Sequence, residues 1–186
     1  MAIKLNTPLT REKLAKLKAG DQVLISGTMY TARDAAHEKL MISLDKGEKI
    51  PFDLKGALIY YVGPTPTRQG DVIGSAGPTT SLRMDSYTPR LIDLGLLGMI
   101  GKGRRGDQVK EKMKETGAVY FAAIGGAGAL IKSSIVSQEV IAYEELGPEA
   151  IRKLQVKDFP VTVIIDSKGD DLYEIGPRAY LASKEK

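Results

Sequence analysis

Apolar positions along the chain follow two periods, and the switches between them mark a succession of elements. In TREKLAKLKAG (10–20), Leu14 and Leu17 share a face, Thr10 stands at a cap position and Gly20 at a stop, which predicts a short helix. DQVLISGTMYTA (21–32) is rich in β formers and reads as a strand. Ala36, Leu40 and Leu44 recur every four residues through RDAAHEKLMISLDKG (33–47), a helix ended by Gly47. GALIYYVG (56–63) and AVYFAAIGG (118–126) are continuous apolar runs and predict buried strands. Between them, DVIGSAGPTTS (71–81) reads as a short strand entering a loop, and TPRLIDLGLL (88–97) as a helix with Thr88 as cap and Pro89 at its first position. LGMIGKG (97–103) is a short strand with a glycine turn, and GDQVKEKMKETG (106–117) a helix capped by Asp107 and stopped by Gly117. AGALIKSS (127–134) predicts a short helix, IVSQEVIAYEEL (135–146) a strand and GPEAIRKL (147–154) a helical turn. FPVTVIIDSKGDDLYEI (159–175) predicts a hairpin around SKGDD.

Strand and helix alternate through the second half, the pattern of an α/β layered domain with a covered sheet. The first half is less regular, and a second β layer is expected there. The whole chain, 1–186, reads as one domain, with 1–20 as an N-terminal helical extension within it.

Composition narrows the chemistry. The chain has 186 residues, no cysteine and one histidine, which removes disulfides, a thiol nucleophile, a cysteine-bound cluster and a multi-histidine metal site on this chain. Apolar residues make up 42% and charged residues 27%, as in ordinary globular proteins. With neither a spanning apolar run nor a signal-peptide pattern, a cytoplasmic protein without membrane association is expected. The net charge of +4 suits an anionic small substrate or nucleic acid. The aromatics, however, lie in apolar runs such as LIYYV and VYFAAI, where a core role outweighs base stacking, so nucleic acid is not expected.

GSAGPTTSLRMDSYTP (74–89) holds the candidate chemistry. Thr79, Thr80 and Ser81 follow a strand, glycines admit close approach of backbone to a ligand, and Arg83 offers a planar fork for a carboxylate or phosphate. The pattern alone fits a connecting loop with an exposed arginine equally well. MIGKGRRG repeats the arrangement and brings Lys102 toward the same sheet edge; IGGAGA is a third glycine turn after a strand. None has the spacing of a Walker A loop or a dinucleotide fingerprint. His37, four residues after Arg33, reads as a surface or interdomain histidine ahead of a catalytic one. Arg104 and Arg105 read as solvated or partner-facing, and Asp85 as a local cap or pair.

Taken together, GTMYTARDAAHEKL, GSAGPTTSLRMDSYT, GKG, IGG and YEELGPEAIRKLQVKDFPVTVIIDSKGDDLYE resemble the β subunit, or C-terminal domain, of class I fumarate hydratases. The β subunit of L-tartrate dehydratase is similar. The resemblance runs from about Gly27 to Tyr173; Pro148 departs from the methionine usual after ELG. It implies a swivelling β/β/α domain and a hydro-lyase acting on a dicarboxylate such as fumarate. It also implies a [4Fe–4S] cluster carried by a cysteine-bearing α subunit in an α2β2 assembly, with no metal ligand on this chain. Carried over residue by residue, Thr79 is the base for the C3 proton, and Arg33, Arg83 and Lys102 bind substrate carboxylates. Thr80, by contrast, is expected to hydrogen-bond the loop backbone. A non-catalytic anion-binding module is the alternative of another class.

Overall fold

The computed structural model describes residues 2–123 and 128–184. Its elements are β1 (Ile3–Asn6), α1 (Arg11–Leu14), β2 (Gln22–Thr31), α2 (Asp34–Asp45), β3 (Leu58–Tyr60), a 3-10 turn (Ser81–Met84), α3 (Thr88–Asp93) and β4 (Gly98–Gly101). There follow α4 (Asp107–Thr116), β5 (Val119–Ala123), α5 (Gly128–Ser133), β6 (Ile135–Ala142), a second 3-10 turn (Glu144–Glu149), β7 (Ile151–Ile165) and α6 (Leu172–Lys184).

All seven described strands belong to one mixed sheet in an α/β fold, in the order β1-β2-β3-β4-β5-β7-β6, and an added β2–β7 pairing closes it into a ring. β1 to β5 run parallel, while β7 lies antiparallel to β2, β5 and β6. The two long strands share a seam and change their outer neighbours halfway along it. β2 pairs with β1 over Val23–Ser26 and with β3 over Tyr30–Thr31; β7 pairs with β6 over Ile151–Val156 and with β5 over Val161–Ile165. A bulge between Ile25 and Gly27 makes the corner. Gly27 has φ 115, a conformation open to glycine, and Asp158 opposite has φ 51 with its N–H donated to Ser26 Oγ at 3.0 Å.

The ring has two apolar faces, set by strand alternation. Val23, Ile25, Tyr60, Phe121, Phe159 and Val163 fill its interior, closed by Leu14 and Ile131. Ile59, Tyr61, Met99 and Tyr120 point outward and are covered by Ala36 and Leu40 of α2, Leu91 and Ile92 of α3, and Val109 and Met113 of α4. Each large side chain buried this way contributes about 1.5–3 kcal/mol.

Several sequence expectations change. The first 20 residues are not a helical extension: they supply the edge strand β1, and α1 is a single turn capped by Thr10 Oγ1. No strand forms over 71–81; its backbone meets the sheet at the bridges Val62–Pro78 and Thr80–Lys102, and Ile73 and Ala76 pack into the interior cluster. Instead of a separate β layer in the first half, the one sheet turns back on itself. Ile151–Leu154 is strand rather than helical turn, because pairing with β2 and β6 outweighs its i, i+3 apolar spacing. After SKGDD the chain makes one bridge, Ile165–Asp171, and then enters α6 instead of a second hairpin arm. Thr88 and Asp107 open their helices at the first position, one residue inside the cap.

Candidate active site

Parallel strands align their carboxyl ends at one edge of a sheet, where ligands of α/β proteins bind. Three loops leave adjacent strands there. Arg33 follows β2, the Pro78–Ser81 segment docks beside the end of β3, and Lys102 follows β4. The glycine turn IGG after β5 lies outside the described residues.

Backbone bonds knit two of these loops together. Thr79 N–H donates to Tyr61 O at 2.7 Å, Lys102 N–H to Thr79 O at 3.2 Å and Ser81 N–H to Lys102 O at 2.9 Å. Gly101 is required here: a Cβ on it would stand 1.9 Å from Ser81 Oγ. Ser81 Oγ in turn shares a 2.8 Å bond with Tyr120 O–H, which reaches Gly103 O at 2.9 Å. Thr79 is thus held by its backbone, and its half-buried hydroxyl has no protein partner among the described residues. Lys102 is exposed and pairs with no acid among them. Thr80 is exposed and makes no side-chain cap bond, so the expected hydroxyl bond to the loop backbone is absent; its fixed contact is the backbone bridge to Lys102.

Arg33 and Arg83 are brought together by a carboxylate that the sequence reading passed over. Asp34 Oδ1 forms an ion pair with Arg83 Nε at 2.7 Å, and its Oδ2 accepts from Arg33 Nε at 3.4 Å. Glu149, from the second 3-10 turn, pairs with Arg33 Nη2 at 3.4 Å and accepts the Ala35 N–H at 2.9 Å, capping α2 from outside. The Arg33 guanidinium lies against Gly63, one residue beyond Val62, which bridges to Pro78. The arginine pair and the Thr79–Lys102 pair therefore meet through that bridge and through the 3-10 turn carrying Arg83.

Beneath this edge lies a buried polar floor. Arg105, 3% exposed, is neither solvated nor available to a partner. It donates to Asp85 Oδ1 at 2.7 Å and Thr88 Oγ1 at 2.8 Å, and packs over the rings of Tyr61 and Tyr120. Asp85 Oδ2 also accepts the Gly106 N–H at 2.5 Å, so Asp85 pairs across 20 residues rather than with a local partner. Burial pulls the Arg105 pKa down, but Tyr61 and Asp85 outweigh it and leave it above its ordinary value. Burial pushes the phenol of Tyr120 up, against the Ser81 hydrogen bond.

His37 is not on the surface: it is fully buried between Tyr61 and Tyr87. Arg33 O accepts both the His37 N–H and Nδ1, each at 2.8 Å, so Nδ1 carries the proton and Nε2 is bare, buried and unpartnered. Burial first, and Arg105 after the opposing Arg33 bond, lower its pKa to about 4.

An edge with three cations and an unengaged hydroxyl over a buried floor can bind a small polyanion and hold a proton acceptor beside it. These features define an α/β domain with a cationic strand-end edge. Residues 1–176 match the family described as fumarase C-terminus, and the chain belongs to that family. It is 42% identical over 177 residues to the aerobic class I fumarate hydratase of Escherichia coli K12, covering 92% of this chain and 32% of that protein. It is 41% identical over 169 residues to fumarate hydratase 2 of Leishmania major, covering 88% of this chain and 29% of that protein. A putative L(+)-tartrate dehydratase subunit beta of Methanocaldococcus jannaschii is 40% identical over 172 residues, 89% of this chain and 88% of that one. The chain thus spans about a third of the fumarate hydratases it matches. Among the described residues no three His, Asp or Glu side chains group to hold a metal, and no helix is long and apolar enough to cross a membrane.

Proposed function

We propose that this chain is the β subunit of a cytoplasmic iron–sulfur hydro-lyase that interconverts fumarate and L-malate, as one part of an α2β2 assembly. The observation that carries the reading is the sheet edge on which Thr79 and Lys102 share a backbone ladder beside the Arg33–Asp34–Arg83 cluster. A second reading, L-tartrate dehydration, is supported by the similarity to the Methanocaldococcus jannaschii subunit along most of its length.

In this reading Arg33, Arg83 and Lys102 bind the two carboxylates, and the Thr79 hydroxyl oxygen, as alkoxide, takes the C3 proton. A threonine hydroxyl is a weak acid in water; nearby cations and exclusion of water stabilise its alkoxide. The same cations stabilise the charge that spreads into the carboxylate as C3 loses its proton. With no cysteine on the chain, its donor set does not fit an iron–sulfur cluster, so the [4Fe–4S] group belongs to a cysteine-bearing α subunit. The part of this chain is proton removal and carboxylate binding.

The test is co-expression with such an α subunit under anaerobic conditions, followed by assay on malate, fumarate and L-tartrate. Turnover of malate and fumarate by the assembly, and none by this chain alone, is expected. Turnover of tartrate only would select the second reading. Activity from the iron-free chain would overturn both, and a correctly assembled complex that turns over none of the three would leave an anion-binding module.

A further inference from the structure

We propose that Asp34 is a positioning residue: by tying the Nε atoms of Arg33 and Arg83 it aims the free end of Arg83 at the substrate. The inference rests on the dicarboxylate reading above and adds a residue to it. Asp34 opens α2, and its two carboxylate oxygens are divided, Oδ1 to Arg83 at 2.7 Å and Oδ2 to Arg33 at 3.4 Å. Both contacts use Nε, the inner nitrogen. The two terminal nitrogens of Arg83 keep no protein partner among the described residues, so its fork stays open to a carboxylate. Arg33 is held on more sides, with Nη2 at Glu149 and the guanidinium against Gly63, where a Cβ would come within 3.0 Å of Nη1. Arg33 is therefore the fixed member, and Asp34 transfers its position to Arg83, whose side chain is 53% exposed and carried on a 3-10 turn.

Two effects of Asp34 on a bound dianion oppose each other. Its negative charge repels the dianion, and its ion pair at Arg83 Nε pre-aligns the guanidinium that receives it. Because the contact falls on Nε and leaves the terminal fork free, alignment outweighs repulsion. The sign of the change in KM on neutralising Asp34 decides between them.

The experiment is Asp34→Asn in the assembled enzyme, read in two ways. Modification of Arg83 by phenylglyoxal, followed by mass spectrometry, reports the tie without any turnover; it rises several-fold in the variant while Arg33 changes little. In kinetics, KM for malate rises about 10–100-fold, the scale of a small misplacement of a binding group, while kcat changes far less. In an Arg83→Ala background the same substitution adds little, since Asp34 acts through Arg83. Unchanged Arg83 labelling overturns the proposal, as does a lowered KM, which would make Asp34 a competitor for the guanidinium. If the wild-type assembly turns over no dicarboxylate, the functional reading fails, and the labelling still decides whether Asp34 holds Arg83.

Discussion

Arg83 and Arg105 each meet an aspartate at 2.7 Å, yet the two pairs belong to different physical regimes. The Arg83 side chain is 53% exposed, and water screens its pair with Asp34, so the contact adds little to stability; the Arg105 side chain is fully buried, and removing Asp85 strands its charge without solvent. Distance alone therefore says little about what an ion pair does. The rim presents Arg83 and Lys102 exposed and Arg33 and Thr79 half-buried, while the floor of Arg105, Asp85, Thr88, Tyr61 and Tyr120 holds that rim in place.

The sharpest way to break this contrast is a rim residue with a large functional effect and none on folding. Thr79→Val in the assembled enzyme is expected to lower kcat about 10²–10⁴-fold, as for a lost general base, with the melting temperature unchanged. Solvent deuterium exchange at malate C3 should vanish with it; exchange that survives removes Thr79 from the role. On the floor the expectation reverses. Arg105→Met leaves the partly buried Asp85 without its cation, with the Gly106 N–H still donated to it, and should cost about 3 kcal/mol of stability, the low end for a broken buried pair, read from urea unfolding. A variant as stable as the wild type would show the floor to be dispensable.

His37 sharpens the comparison through pH. Its folded pKa is pushed down to about 4 from 6.5, mainly by burial, so between these values the unfolded chain binds the proton more readily. Its contribution is complete above pH 6.5 and is lost as pH falls toward 4, by about 3 kcal/mol in all. Urea midpoints at pH 4.5 and 7 should differ less for His37→Phe than for the wild type. An equal difference in both would place the acid sensitivity elsewhere. The smallest effect is expected at Thr80, exposed and unbonded through its side chain: Thr80→Val should shift stability by no more than about 0.5 kcal/mol. A large loss of turnover there, with Thr79→Val active, would exchange the two threonines.

Local signals in the chain were readable where chemistry and geometry coincide. Thr10 capping α1, Gly117 ending α4 in the left-handed region and the buried runs of β3 and β5 follow from propensity and pattern. Thr79, Arg83 and Lys102 stood out as polar residues in glycine-rich segments, whereas Arg33 and the roles of all four came from the family resemblance rather than from pattern. Long-range partnerships left no such trace. Asp34 looks like an ordinary acid in a first helical turn, and nothing near Glu149 announces that it caps a helix 114 residues away. Arg105 sits in a Lys- and Arg-rich turn, and only the Asp85 carboxylate and two tyrosine rings from other elements make its burial tolerable. α6 runs through Gly176 and Pro177 without ending, with Leu172 and Tyr173 packed against the outer core.

The seam between β2 and β7 has a consequence in time. Thr162 Oγ1 donates to Gln22 Oε1 across 140 residues of sequence, so one of the first strands to leave the ribosome waits for the last. Until β7 emerges, β2 and β5 each keep a bare edge, and the loops at their ends stand on a sheet that is not yet closed. Pairings this distant form slowly, because the closure entropy of the long loop precedes any gain from contact. During synthesis the strand-end cluster thus has no lasting geometry, and a chain stopped short of residue 151 would carry Arg33, Thr79, Arg83 and Lys102 without the ring that holds them together.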